Sequence, residues 1–474
     1  MVAEPAAEAK DGSVGAGSAI LYLAGSVLQG LGLLLIQPFA IRLLSPVEWG
    51  LVSTSVVAIQ VVVVLISAGL PLAITRLWFD ASDGQRRARA MYGFLAGGAA
   101  LIAVVTAAAV GLVSLAAGGA VAWPALMAVV SIGLLGSVLG SQAVLRAQNR
   151  PVAFVALSLV SSVVANLAGL AAIQLAGPTA AAYLVAYTVA VAAATVLALL
   201  LVRPEAPWRV PGVLRESTGI ALPLLPHTGA LMLLTQGAVL LLAALAGAAP
   251  AGQYGAVLIF ALGPLTLLNA LNNAWATRLM EAAADRLPAL LKSIAVEALL
   301  ASAAIGILAS AGAVVGGFVL TEDPEQLAAV ARVLPMVSIG YALFLIATNV
   351  VYILQRTRIM AYATPLVLVL MVGAATPFAI AGNLVAVGTI HAGGFLLLGL
   401  TYWLAVRKST GKAWPVRLFV ILLAVHLAVV VTLALLPVTF IWGVVEVGVV
   451  ILALGAAAAV WYRRGRRSRP GPNT

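Results

Sequence analysis

Two carboxylates and four arginines stand inside or at the very ends of long apolar stretches, where an ionised group is costly enough to mark ion or anion handling. Glu297 lies ten residues beyond Leu287, about 15 Å along a helix. Glu446 lies seven residues inside the last apolar run. A protonatable carboxylate at such depth can couple ion movement to transport, and Glu297 is the preferred coupling residue. Glu446 reads as locally paired or protonated. Arg42 closes the first apolar run and Arg332 opens the tenth, whereas Arg76 and Arg278 end the second and the eighth. A guanidinium suits phosphate because its planar fork donates two parallel hydrogen bonds. The alternatives are an Arg42–Glu48 ion pair across the Ser45-Pro46 turn, pairing of Arg332 with Glu322, Asp323 or Glu325, and simple retention of Arg76 and Arg278 at a membrane face.

Three further groups carry chemistry. His227 follows Pro223 and Pro226, whose missing N–H groups leave helix carbonyls free, a feature tolerated in a membrane where backbone lines a cavity. His227 with Pro226, and Pro38 in the first run, are therefore read as gating elements. Asn269, Asn272 and Asn273 are three and four apart, so Asn269 shares a helix face with both others. That polar stripe is either interhelical glue or a surface for sugar hydroxyls. Gln60, Gln142, Asn166 and Asn349 are weaker instances, and His391 and His426 read as structural.

The elements that must position these groups are membrane helices. Of 474 residues, 63% are hydrophobic, and fourteen runs are long enough to span a bilayer, which takes about 20 apolar residues. They cover roughly 14 to 43, 47 to 75, 90 to 115, 121 to 145, 151 to 176, 179 to 202, 217 to 246, 252 to 276, 288 to 320, 325 to 354, 361 to 382, 383 to 405, 417 to 437 and 439 to 461. None alternates as a barrel strand would. The fold class is all-α and polytopic, since backbone in lipid must be satisfied within its own segment.

Basic residues set the expected orientation. With every second gap counted as cytoplasmic, 24 of the 26 Lys and Arg fall on one side, leaving Arg42 and Arg332. The positive-inside rule then puts both termini in the cytoplasm of a multi-pass cell-membrane protein. The net charge of +11 is spread over loops that face anionic headgroups, so no nucleic acid is expected as partner. Absence of Cys excludes disulfides and thiol chemistry. Catalytic motifs and a soluble domain are missing, so no enzyme activity, metal or cofactor is expected.

Residues 46 to 77, PVEWG through AITRL, parallel 250 to 279, PAGQYG through AWATRL. Trp123-Pro124 through Arg150 likewise parallels Pro335 through Arg358. An offset of six helices keeps membrane orientation, so the halves are parallel repeats. The expected organisation is a tail (1–13), an N-lobe (14–202), a linker (203–216), a C-lobe (217–405), a terminal hairpin (417–461) and a basic tail (462–474).

The string Ala40-Ile41-Arg42-Leu43-Leu44-Ser45-Pro46-Val47-Glu48-Trp49-Gly50, followed by Ala68-Gly69-Leu70-Pro71 and Ala73-Ile74-Thr75-Arg76, resembles the amino-terminal signature of polysaccharide flippases. These belong to the multidrug, oligosaccharidyl-lipid and polysaccharide exporter superfamily. The Leu145-Arg146-Ala147-Gln148-Asn149-Arg150 ending is similar as well. Many relatives carry a charged residue in the outer half of helix 7, where this chain has Thr235-Gln236-Gly237-Ala238. The resemblance implies alternating-access flipping of polyprenyl-diphosphate-linked oligosaccharide for cell-surface polysaccharide biosynthesis, with membrane lipids and a polysaccharide polymerase as functional partners. A drug/cation antiporter of the same superfamily and a membrane glycan ligase or polymerase are the alternatives.

Overall fold

A computed structural model describes residues 16–467, apart from 68, 81–82, 117–121, 283–284, 322, 357 and 412–413. The predicted tail 1–13, residues 468–474 of the predicted basic tail 462–474, Glu322 and Lys412 lie outside the described residues. There is no strand among the described residues.

The helices in order are α1 (Ala16–Leu43), α2 (Pro46–Ser67), α3 (Leu70–Leu77), α4 (Gly84–Ala116), α5 (Trp123–Ala147), α6 (Pro151–Leu175), α7 (Ala180–Leu201), α8 (Val213–Leu245), α9 (Ala248–Val257), α10 (Ile259–Met280), α11 (Leu287–Leu320), α12 (Pro324–Ile353), α13 (Arg358–Ile380), α14 (Leu384–Thr410), α15 (Val416–Ala434) and α16 (Phe440–Arg467). Among the described residues twelve helices are long and apolar enough to span a membrane, or thirteen with α9 and α10 taken as one bent span. The 28-residue α1 occupies the first predicted run. The chain is thus a multi-pass membrane protein, and the twelve to thirteen spans counted among the described residues, with α1 not among them, stand close to the fourteen expected.

Two predicted continuous runs are broken, and both belong to the same repeat position. The second run divides into α2 and α3 at Gly69, whose φ of 80° suits a residue without Cβ. The eighth divides into α9 and α10, bent by 43° at Leu258. The ends of the fourth and tenth runs also match. Asn149 and Gln355 both take positive φ, 51° and 54°, and the amides of Arg150 and Arg356 reach back to the carbonyls of Leu145 and Val351, each at 3.0 Å. Such a left-handed residue closes a helix by satisfying its last carbonyls. Local geometry therefore repeats where the sequence repeats.

The helices group into two compact units. One takes in the chain up to Ile36, Gly69–Ala171 and Val185–Ala221; the other takes in Gln37–Ala68, Ala172–Leu184 and the chain from Leu222 onward. Apolar exposure in this protein faces lipid: on α4, Leu101, Val104, Val105, Leu112, Val113 and Leu115 are each more than 60% exposed. With no water to be driven out between helices, association rests on close packing and on hydrogen bonds between buried polar groups.

Candidate functional site

The exposed surface of α10 is mixed, with a polar stripe on one side and Leu267 (54% exposed) and Leu271 (39%) on the other. Thr266, Asn269, Asn273 and Thr277 recur at helical spacing and all are exposed, on the longer arm of the bent α9–α10 pair, which is long and apolar enough to cross a membrane only when its two arms are taken together. The hydroxyls of Thr266 and Thr277 bond back to the carbonyls of Leu262 and Asn273, which lowers their cost inside a membrane. Asn269 accepts from the Tyr341 hydroxyl at 2.9 Å. Asn272, half-buried beside the stripe, accepts from the amide of buried Asn349 at 2.9 Å. Both bonds run to α12, so that helix fixes Asn269 and Asn272 while Asn273 is exposed. The three asparagines were legible in the sequence. The threonines were missed, although their spacing from Asn269 and Asn273 was the available signal.

At one end of the stripe Arg278 forms an ion pair with Glu297 of α11 at 3.0 Å, and Glu297 also accepts from the Trp275 indole at 3.2 Å. Both charged side chains are about half exposed, 46% and 51%. Glu297, expected as an intramembrane coupling carboxylate, is half exposed and paired with an arginine of the neighbouring helix. Arg278, expected to be free for an anion, shares its guanidinium with that carboxylate. An exposed pair of this kind contributes about 0–1 kcal/mol. Glu297→Gln should therefore leave the unfolding temperature nearly unchanged while tightening binding of an anionic lipid-linked ligand to the released Arg278. Weaker binding in Glu297→Gln protein would show that the carboxylate itself takes part in recognition.

The matching arginine of the first half, Arg76 on α3, is exposed and makes no ion pair among the described residues. Its neighbour Thr75 anchors α3 by donating to the carbonyls of Pro71 and Ala143.

Arg42 does not pair with Glu48. Its guanidinium donates to the Phe318 carbonyl at 3.1 Å, and Glu48 accepts from the Ala180 amide at 2.5 Å. That amide is the first of α7, where unsatisfied N–H groups and the helix dipole both favour a carboxylate. Arg42 remains exposed.

Arg332 is corrected further. It is 2% exposed and bonds Glu446 at 2.5 Å, not the acidic residues beside it in sequence, and this burial removes it from any ligand surface. Glu446 in turn does not pair within the terminal hairpin; it reaches from α16 to α12. Ser310 of α11 completes the cluster, donating to the Arg332 carbonyl at 2.9 Å and meeting His426 Nε2 of α15 at 3.1 Å.

His227 is half-buried and its Nδ1 lies 2.9 Å from the Thr364 hydroxyl, which is 2.7 Å from the hydroxyl of Tyr402. This chain ties α8, α13 and α14 together beside the exposed Pro226, which remains inside the continuous helix α8. Thr364 and Tyr402 are 137 and 175 residues away from His227, with no local pattern to announce them. Pro38 likewise lies inside α1, next to Gln37, whose amide donates to the Ala256 carbonyl at 2.7 Å near the α9–α10 bend.

Comparison with known proteins places this architecture. Residues 14–276 match the family model described as polysaccharide biosynthesis protein. A solved lipid II flippase MurJ in an inward closed conformation superposes with a TM-score of 0.70 at 13% identity, covering 94% of this chain and 99% of that one. A multidrug resistance MATE family transporter of the MOP superfamily, inward-facing, gives 0.56 at 14% identity, covering 83% and 94%. MATE in the straight conformation gives 0.51 at 13%, covering 84% and 94%. Comparison with curated proteins gave no match.

Proposed function

This chain belongs to the polysaccharide biosynthesis protein family, and from that premise we propose that it flips polyprenyl-diphosphate-linked oligosaccharide across the cytoplasmic membrane by alternating access. The observation that carries this reading is the exposed polar face of α10. A glycan cannot cross hydrocarbon unless the protein supplies a hydrated wall of hydroxyls and amides. Thr266, Asn269, Asn273 and Thr277 form such a strip on the longer arm of the broken α9–α10 span. Arg76, Arg278 and Arg42, all exposed, are the groups to meet the diphosphate, with bidentate charge-assisted bonds. Arg76 is the strongest of them, since it has no competing carboxylate among the described residues.

The stripe of amides and hydroxyls with Arg278 at its end is suited to a neutral or anionic glycan carried on a diphosphate. A cation antiporter would need an unpaired carboxylate in its path. Both carboxylates singled out within spans are engaged: Glu297 with Arg278 and Glu446 with Arg332. No covalent chemistry is required, so the protein acts as a carrier and supplies positioning, hydration and a conformational cycle. In this reading both termini and the basic loops face the cytoplasm, where lipid-linked units are loaded, and a polymerase takes them up on the far side.

Loss of the gene should leave lipid-linked glycan units on the cytoplasmic leaflet, with polymer missing outside. Arg76→Gln should weaken binding of a purified lipid-linked oligosaccharide about tenfold to hundredfold, because a charge-assisted bond typically contributes about 1.5–3 kcal/mol. Normal export in a deletion strain without a redundant carrier would overturn the reading.

A further inference from the structure

The junction between α14 and α15 carries a basic, indole-lined cavity apart from the α10 stripe. A cavity of about 500 Å³ is lined by Trp403, Arg407, Lys408, Gly411, Trp414 and Val416. Arg407 and Lys408 occupy the last turn of α14, where cations also suit the carbonyl end of the helix dipole. The chain then turns at Gly411, whose φ of 56° returns it across the helix end. Trp414 folds back and is buried to 8% exposure, its indole N–H donating to the Thr410 hydroxyl at 2.7 Å. The Arg407 guanidinium lies 5.8 Å from the Trp403 ring centroid, a cation–π distance that holds the side chain without consuming its N–H donors.

The charge of this cavity is uncompensated from within. No acidic residue occurs between Glu325 and Glu446, and neither Arg407 nor Lys408 makes an ion pair among the described residues. The helices running away from the site expose apolar side chains: Leu404 at 48%, Val420 at 55% and Ile421 at 47%. Two cations, two indoles and an apolar skirt match one kind of ligand. Indoles settle at headgroup level, the cations meet a phosphate, and the skirt meets acyl chains.

We propose that the α14–α15 junction binds the headgroup of an anionic phospholipid, with Arg407 and Lys408 on the phosphate, Trp403 at the glycerol level and the buried Trp414 as the floor that fixes the turn. Each basic group near a membrane surface strengthens attraction to anionic lipid by a factor of about five, and two together by about thirty.

The test uses full-length protein in neutral detergent, titrated with dioleoyl phosphatidylglycerol or dioleoyl phosphatidylcholine and read by native mass spectrometry. Wild type should retain phosphatidylglycerol in preference to phosphatidylcholine. Arg407→Gln/Lys408→Gln should lose that preference by about thirtyfold, whereas Arg407→Lys/Lys408→Arg should keep it, and so should Arg209→Gln at an exposed site elsewhere. Equal retention of the two lipids, or a preference unchanged in the double Gln variant, would overturn the assignment. Inorganic phosphate at millimolar concentration should fail to displace the lipid; complete displacement would make this a soluble-anion site and overturn the lipid assignment.

Discussion

Joining α2 to α9 by a disulfide between Ser53→Cys and Gly255→Cys will stop transport, and a reductant will restore it. The two helices cross on small residues. A Cβ on Gly50 would strike the Ala248 carbonyl oxygen, one on Gly252 would meet the Gly50 backbone, and one on Gly255 would stand 3.2 Å from the Ser53 Cβ. Trp49 adds a hydrogen bond to the Gly252 carbonyl at 3.1 Å. Disulfides need Cβ atoms about 3.5–4.5 Å apart, so this pair closes with a shift of a few tenths of an ångström. The chain has no cysteine of its own, so the introduced thiols have only each other.

Alternating access requires that elements closing one side of the pathway separate during the cycle. α2 and α9 come from opposite halves of the sequence repeat and meet at its equivalent positions, which makes their crossing the natural place for that separation. Oxidised double-Cys protein should show near-complete loss of flipping of a lipid-linked oligosaccharide in proteoliposomes. The control Ser53→Ala/Gly255→Cys should stay active under the same oxidant. Full activity of the cross-linked protein would mean that the crossing stays closed throughout and that opening occurs elsewhere.

Removing one member of the buried Arg332–Glu446 pair will destabilise the protein severely. The side chains are 2% and 1% exposed, so Glu446→Leu leaves a guanidinium without a counter-charge, and Arg332→Met does the same to a carboxylate. Breaking a buried pair this way costs about 3–5 kcal/mol, whereas replacing both members by well-packed apolar residues is often neutral. Thermal unfolding in detergent should show a large drop in Tm for each single variant and recovery in Arg332→Met/Glu446→Leu. The double variant should also keep transport, because the pair ties α16 to α12 and touches no exposed surface. Recovery of Tm with lost transport would assign the pair a functional role beyond anchoring.

The structure also changes how several residues are read. Arg42, Arg332 and Glu297 were noticed in the sequence because charges are rare in apolar stretches. Rarity marks a position as costly, but the partner that offsets the cost is a matter of packing. Glu446 stands 114 residues from Arg332, and Phe318 stands 276 from Arg42. Along the chain the only visible alternatives to a ligand for these arginines are nearby acids, and none of them is the partner found. The same limit hid Thr364 and Tyr402 from His227.

The sequence by itself determined the all-helical membrane fold, the family and the asparagine stripe. Each of these follows from spacing along one segment: twenty apolar residues satisfy their backbone within a single helix, a motif is contiguous, and residues three and four apart share a face wherever the helix ends up. Tertiary structure alone decided whether a face meets lipid, water or another helix, and hence that Thr266 and Thr277 extend the stripe. It decided that Arg76 stays unpaired among the described residues while Arg278 is neutralised, and that the second and eighth runs break. Those outcomes depend on which helices pack together, and in a bilayer that choice rests on small-residue contacts and paired polar groups that are distant in sequence.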